Sequence, residues 1–238
     1  MTETKIRSRA PTASRRAARP SSLDLCDNGI SPCRDSEKAD RRFESLLTAA
    51  EWASLPAVVR HRFSRPLAPG TTRIYVGDVT LTELSPAGRM LAGLARLAGG
   101  PLPSAHGATG PAIVTVREDA AAGGQVWSRS YARPGRMPQS IHSVKRFGGP
   151  TGLEEYLGRG LAMRLTLHAI EGALVFRSAG YAISVLGRQI ALPGWLSPGT
   201  CEIRHRDEGS DRFSFTLTLS HPRLGRLVHQ VAYFKEIR

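Results

Sequence analysis

The sequence predicts an α+β chain that is mainly antiparallel β, a strongly curved sheet or barrel-like meander of about nine or ten strands. Two or three short helices are expected in its N-terminal part. Three observations carry this. Beyond residue 110 the apolar residues recur with the period of strands rather than helices. Glycine-rich turns separate the segments at short intervals, with no intervening helices of the kind a parallel sheet needs. An open antiparallel sheet of this size would leave long unpaired edges, so it is expected to curl or close.

In chain order, Ser36 offers an N-cap hydroxyl ahead of Phe43, Leu46, Leu47 and Ala50 at helical spacing. Trp52-Ala53-Ser54-Leu55-Pro56 is expected to break that helix, and Val58-Val59-Arg60-His61 to start a second short piece. A clearer helix follows Ser85-Pro86, with proline at its first position and Met90, Leu91, Leu94 and Leu97 as its apolar stripe. Strands are expected over 74–81, 112–116, 125–131, 140–147, 161–167, 174–176, 181–186, 189–192, 201–206, 213–219 and 227–234. Leu161, Met163, Leu165 and Leu167 alternate with Arg164, Thr166 and His168, the pattern of a two-faced strand.

Residues 1–42 read as a disordered basic tail and 43–238 as one β-rich domain. The tail holds few large apolar residues, too little to offset the entropy of ordering it. The formal net charge is +13. The tail contributes ten Lys/Arg against six Asp/Glu, and most of the excess lies in the folded region as arginine. A basic surface favours phosphates or anionic lipid. The absence of a lysine stripe, an RNA-binding aromatic signature and zinc-finger spacing argues against specific nucleic-acid binding.

Three cysteines make no disulfide framework, and no Cys or His stands at metal-site spacing from them. No cofactor or metal is expected. Ser14-Arg15-Arg16 lacks the apolar run that a twin-arginine signal requires, and no uninterrupted apolar segment of about 18 residues exists to form a transmembrane helix. A cytoplasmic location is the expectation.

An ordered series of short motifs then becomes recognisable. It runs from Phe43-x-x-Leu46-Leu47, Trp52 and Leu55-Pro56, through Gly77-Asp78 and the Leu91–Leu97 helix, to Trp127-x-Arg129-x-Tyr131. It continues with Gly187-x-x-Ile190-x-Leu192-Pro193-x-Trp195-Leu196, Phe213-x-Phe215 and His221-Pro222-x-Leu224-Gly225-x-Leu227-Val228. The body of the chain thus resembles a bacterial family of unknown function, numbered 4166. One departure is Tyr131, where the family pattern leads one to expect phenylalanine. The resemblance implies no established chemistry. It does imply relatives joined to a nucleotide-binding, dehydrogenase-like domain; with no G-x-G-x-x-G here, such cooperation would involve a separate protein.

Candidate ligand-binding residues are Trp127, Arg129, Tyr131, Arg164 and His168. Trp127, Arg129 and Tyr131 alternate, so an arginine between two rings on a concave sheet could receive an anionic head group. The competing reading makes the rings core and lets Arg129 pair with a carboxylate. Arg164 and His168 share the face opposite the leucines and line an interior only if that interior is partly polar. Glu154 and Glu155 read as a solvated helical turn, His221-Pro222 as a turn start, and no G-x-S-x-G or H-E-x-x-H is present.

The leading functional expectation is a module that binds an apolar or amphiphilic, or an anionic, small molecule. The alternatives are an enzyme using His168 or Glu154 with Arg129, and an accessory domain docking on another protein. A cavity with converging polar groups would favour binding; a base in that cavity with a hydrogen-bonding partner would favour catalysis.

Overall fold

The computed structural model describes residues 40–237 apart from Ser104, Ala105, Pro134 and Gly187. Residues 1–39 of the expected tail, with the expected Ser36 cap, lie outside the described residues. Asp40 and Arg42 are tied to the folded body. Asp40 N–H donates to the Ser64 carbonyl at 2.8 Å, and the Arg42 guanidinium bridges Asp40 and Glu118 at 2.7 Å each.

Eleven strands follow one another: β1 (Thr72–Leu84), β2 (Gly110–Asp119), β3 (Gly124–Arg133), β4 (Arg136–Phe147), β5 (Leu153–Gly158), β6 (Leu161–Ile170), β7 (Ala173–Val185), β8 (Arg188–Ala191), β9 (Thr200–Gly209), β10 (Arg212–His221) and β11 (Gly225–Ile237). All pair antiparallel. The order is β6-β5-β4-β3-β2-β1-β11-β10-β9-β7-β8, and β6 also pairs with β7. That pairing closes ten strands into a barrel and leaves β8 as an extra strand on β7. Closure removes the sheet edges that a meander would otherwise expose.

Two details of the strands differ from the sequence expectation. The stretch 153–158 is a strand, not a helical turn, and β7 is one strand where the sequence suggested two. Gly180 (φ 141°) lies beside an irregularity at which Arg164 pairs with Gly180 but Leu165 pairs with Ser178. The extra residue on β7 switches the inward parity, so that Phe176 and Tyr181, five positions apart, both face the interior.

One end of the barrel is plugged by residues 43–64. A 3-10 turn (Glu44–Leu46) leads to α1 (Ala49–Ser54) and α2 (Ala57–Ser64), so the helix expected from Ser36 to the Trp52–Pro56 break is divided in its described part. The division falls at Thr48, whose hydroxyl accepts from Glu51 N–H while Glu51 returns a bond to the Thr48 amide, a capping box that starts α1. Trp52 lies within α1, and Leu55-Pro56 separates α1 from α2. Phe43, Leu55, Val59 and Phe63 are buried against Leu153, Leu165, Leu174 and Phe176. Phe43 makes edge contacts with Phe63 (5.2 Å) and Phe147 (4.9 Å).

The other end carries α3 (Pro86–Ala95), the described residues of the connection that follows it (99–103 and 106–109) and a 3-10 turn at Gly194–Leu196. Ser85 caps α3 through Gly88 N–H, and the Ser85 amide donates to the Leu227 carbonyl at 3.0 Å. Gly88 sits against the same carbonyl, where a Cβ would collide with backbone. The small residue lets α3 lie directly on β11. This end is not filled.

Candidate functional site

Between the plug and α3 the barrel encloses a cavity of about 670 Å³. That is within the range of small-molecule sites, roughly 300–1,000 Å³. Most of its wall is apolar: Val114, Ile141, Met163, Phe176, Phe215 and Leu219 are representative. Alternation explains why. Each strand turns every second residue inward, and the inward set is mainly aliphatic or aromatic.

One patch of the wall is charged. Inward positions 129 on β3, 143 and 145 on β4, and 155 on β5 bring Arg129, Ser143, Lys145 and Glu155 together. Lys145 and Glu155 are register partners. The Lys145 ammonium donates to Glu155 Oε2 at 2.9 Å. Ser143 Oγ donates to Oε1 at 2.6 Å, and Arg129 reaches the same oxygen at 3.3 Å and Ser143 at 3.0 Å. Lys145 Nζ also lies 4.9 Å from the Trp127 ring centre and 5.3 Å from that of Phe176.

Burial alone would push the Glu155 carboxyl up, but Lys145, Arg129 and the Ser143 hydroxyl outweigh it and hold it at about 2. Burial pulls Lys145 below the usual lysine range against the opposing pull of Glu155. The patch thus sets two basic side chains, Arg129 and Lys145, against one carboxylate. Elsewhere in the wall, burial pushes the Tyr181 hydroxyl upward and the Cys201 thiol to about 12, so both stay protonated. Trp127 Nε1–H is buried without a partner among the described residues.

The sequence candidates separate cleanly. Trp127, Arg129 and Tyr131 all line the cavity. Arg164 and His168 do not: they stand on the face of β6 opposite Met163, Leu165 and Leu167, where His168 Nε2 meets Thr166 Oγ1 at 3.1 Å. Glu154 points away from the cavity, while its neighbour Glu155 is the carboxylate inside. Lys145, Ser143 and Glu155 were not anticipated. Their only local signal is that Ile141, Ser143 and Lys145 share one strand face. His221 lines the mouth, and its Nδ1 accepts the Arg223 amide at 3.2 Å, the turn role expected of it.

No group of three His, Cys, Asp or Glu among the described residues could hold a metal ion. No helix among them is long and apolar enough to cross a membrane.

A ten-stranded closed barrel around an apolar cavity places the chain in the broad class of β-barrel domains with an interior able to hold a ligand. The model of the family described as "Domain of unknown function (DUF4166)" matches residues 55–234, and the chain belongs to that family. The match covers α2 and the whole barrel except the last three residues of β11, and leaves out 43–54 of the plug. No curated protein matches the chain.

Proposed function

We infer that the domain binds an amphiphilic small molecule with an anionic head and an apolar body. The observation that carries this reading is the Arg129–Lys145–Glu155 patch, which sets one excess positive charge in the wall of an otherwise apolar cavity. An uncompensated buried charge is costly. A ligand carboxylate or phosphate would supply the missing counter-charge, and the guanidinium is the group best shaped to receive it. The body of the ligand would lie along the apolar wall, where burial contributes about 25 cal/mol per Å² of apolar surface.

Catalysis has less support. Glu155 is the carboxylate within the cavity, and at about 2 it is a poor base at neutral pH. The Cys201 thiol stays protonated.

Native mass spectrometry of the purified chain, before and after incubation with dodecanoate, tests the reading. A stoichiometric co-purifying anionic amphiphile, or saturable uptake of one dodecanoate, is expected. A chain that carries no such molecule and takes up no dodecanoate would contradict it.

A further inference from the structure

The cavity opens beneath α3, and its mouth has an unusual rim. Met90, Leu94, Trp195, Leu196 and Leu224 all line the cavity, yet they are 66, 58, 78, 53 and 57% exposed. A side chain that both lines a cavity and faces water marks an opening. Here five large apolar ones from three separate segments do so together. Leu186, in the β7–β8 turn at the same end, is fully exposed at φ 50°, a conformation that costs energy for a non-glycine residue. Contiguous exposed apolar surface of this kind marks an interaction site.

Charge is sorted along the barrel axis. The segments at the open end (85–109, 133–136, 158–160, 186–199 and 221–226) contain eight arginines and not one Asp or Glu. The plugged end, counting the plug and the strand-connecting turns there (40–71, 119–124, 147–153, 170–173 and 208–212), contains seven carboxylates and six arginines, so it is close to neutral. Among the described residues, Arg226 has an ion-pair partner in Glu83 at 2.9 Å, while Arg89, Arg96, Arg188 and Arg223 have none.

We propose that the open end docks on the surface of an anionic lipid bilayer, placing the cavity mouth against the membrane. The reading rests on the binding function above in naming the membrane as the place where ligand is exchanged. The docking itself stands on the rim alone. Tryptophan and leucine insert at the head-group boundary, where the indole's apolar body and polar N–H are both accommodated. The surrounding arginines face lipid phosphates. A folded protein partner would need a shaped complementary face, whereas a bilayer needs only this combination of projecting apolar side chains and a ring of cations.

The test is co-sedimentation of the full chain with vesicles of phosphatidylcholine alone or containing about 30 mol% phosphatidylglycerol, at low and high salt. Binding about tenfold stronger to the anionic vesicles, and weakened by salt, is expected. Trp195 fluorescence should shift to the blue on binding, a signal from the one tryptophan of the three that is mostly exposed. Trp195→Ser combined with Leu196→Ser should abolish the binding to both vesicle types. Arg89→Glu combined with Arg188→Glu should remove the preference for anionic lipid and leave uptake of dodecanoate from solution unchanged. Equal partitioning to the two vesicle types overturns the proposal. So does undiminished binding by the variants, or rim substitutions that change only self-association in sedimentation velocity. A parent chain that takes up dodecanoate but binds neither vesicle type overturns docking alone; a parent chain that docks without any dodecanoate uptake overturns the binding reading instead.

Discussion

Lys145 and Glu155 stand directly opposite each other on β4 and β5, joined at 2.9 Å and both buried in the barrel wall. Arg129 and Ser143 converge on the other oxygen of the same carboxylate. One anion therefore serves two cations, and the consequences of removing each partner differ.

Glu155→Gln strands both cations in the wall and is expected to cost about 3–5 kcal/mol, the usual penalty for an unpaired buried charge. Lys145→Met should cost less, because Glu155 keeps Arg129 and Ser143. The double variant should be more stable than Glu155→Gln alone. Urea denaturation midpoints of the three variants measure this ordering, and a Lys145→Met more damaging than Glu155→Gln would refute it.

The same substitution should change ligand affinity in the opposite direction. Glu155→Gln raises the excess positive charge of the patch, so added dodecanoate should stabilise this variant more than the parent chain. The readout is the shift in thermal midpoint with ligand concentration, which follows mass action for binding to the folded state.

The fold was legible from the sequence because alternation is a local signal. Leu161, Met163, Leu165 and Leu167 announce β6, and Trp127, Arg129 and Tyr131 announce an inward face on β3. Of the charged patch, Arg129 was legible and Lys145 and Glu155 were not, for two reasons. Lys145 and Glu155 interrupt the apolar alternation that identifies inward positions, so Glu154-Glu155-Tyr156 between glycine turns looked helical. Their partnership also depends on the β4–β5 register, which is not written in either segment alone. Tyr181 was obscured because the β7 irregularity reverses the parity of the strand midway. Arg164 and His168 looked equivalent to Arg129 by spacing, but their strand turns its leucines inward.

Beneath the plug, Arg62 donates to His205 Nε2 at 2.8 Å, so the imidazole hydrogen is on Nδ1. His205 is fully buried among Phe63, Phe213 and Phe215. Burial, reinforced by Arg62, holds its pKa well below 6.5. The unfolded chain takes up this proton near 6.5 and the folded chain does not. Stability from the neutral ring is thus present above about pH 6.5 and lost as pH falls, by up to about 1.4 kcal/mol per pH unit. Unfolding free energies measured from pH 7.5 to 5.5 should decline in the parent and decline less steeply in His205→Leu. Glu155 titrates in a lower window, losing its contribution as pH falls below about 4.5 toward 2.

Gly88→Ala should lift α3 from β11, because the new Cβ meets the Leu227 carbonyl. A loss of about 1–3 kcal/mol is expected from this overpacking. Amide exchange should accelerate across 86–95 while the plug at 49–64 is unaffected. Faster exchange in both regions would show that α3 is not an independent cap.

The central claim is that Arg129 receives the head group of an anionic amphiphile inside the barrel. Calorimetric titration of the parent chain and of Arg129→Gln with dodecanoate and with dodecanol tests it most directly. The parent should bind dodecanoate about tenfold or more tightly than dodecanol, and Arg129→Gln should lose that preference while keeping its affinity for the alcohol. Equal affinity of the parent for the two ligands, or an undiminished preference in Arg129→Gln, would contradict the account.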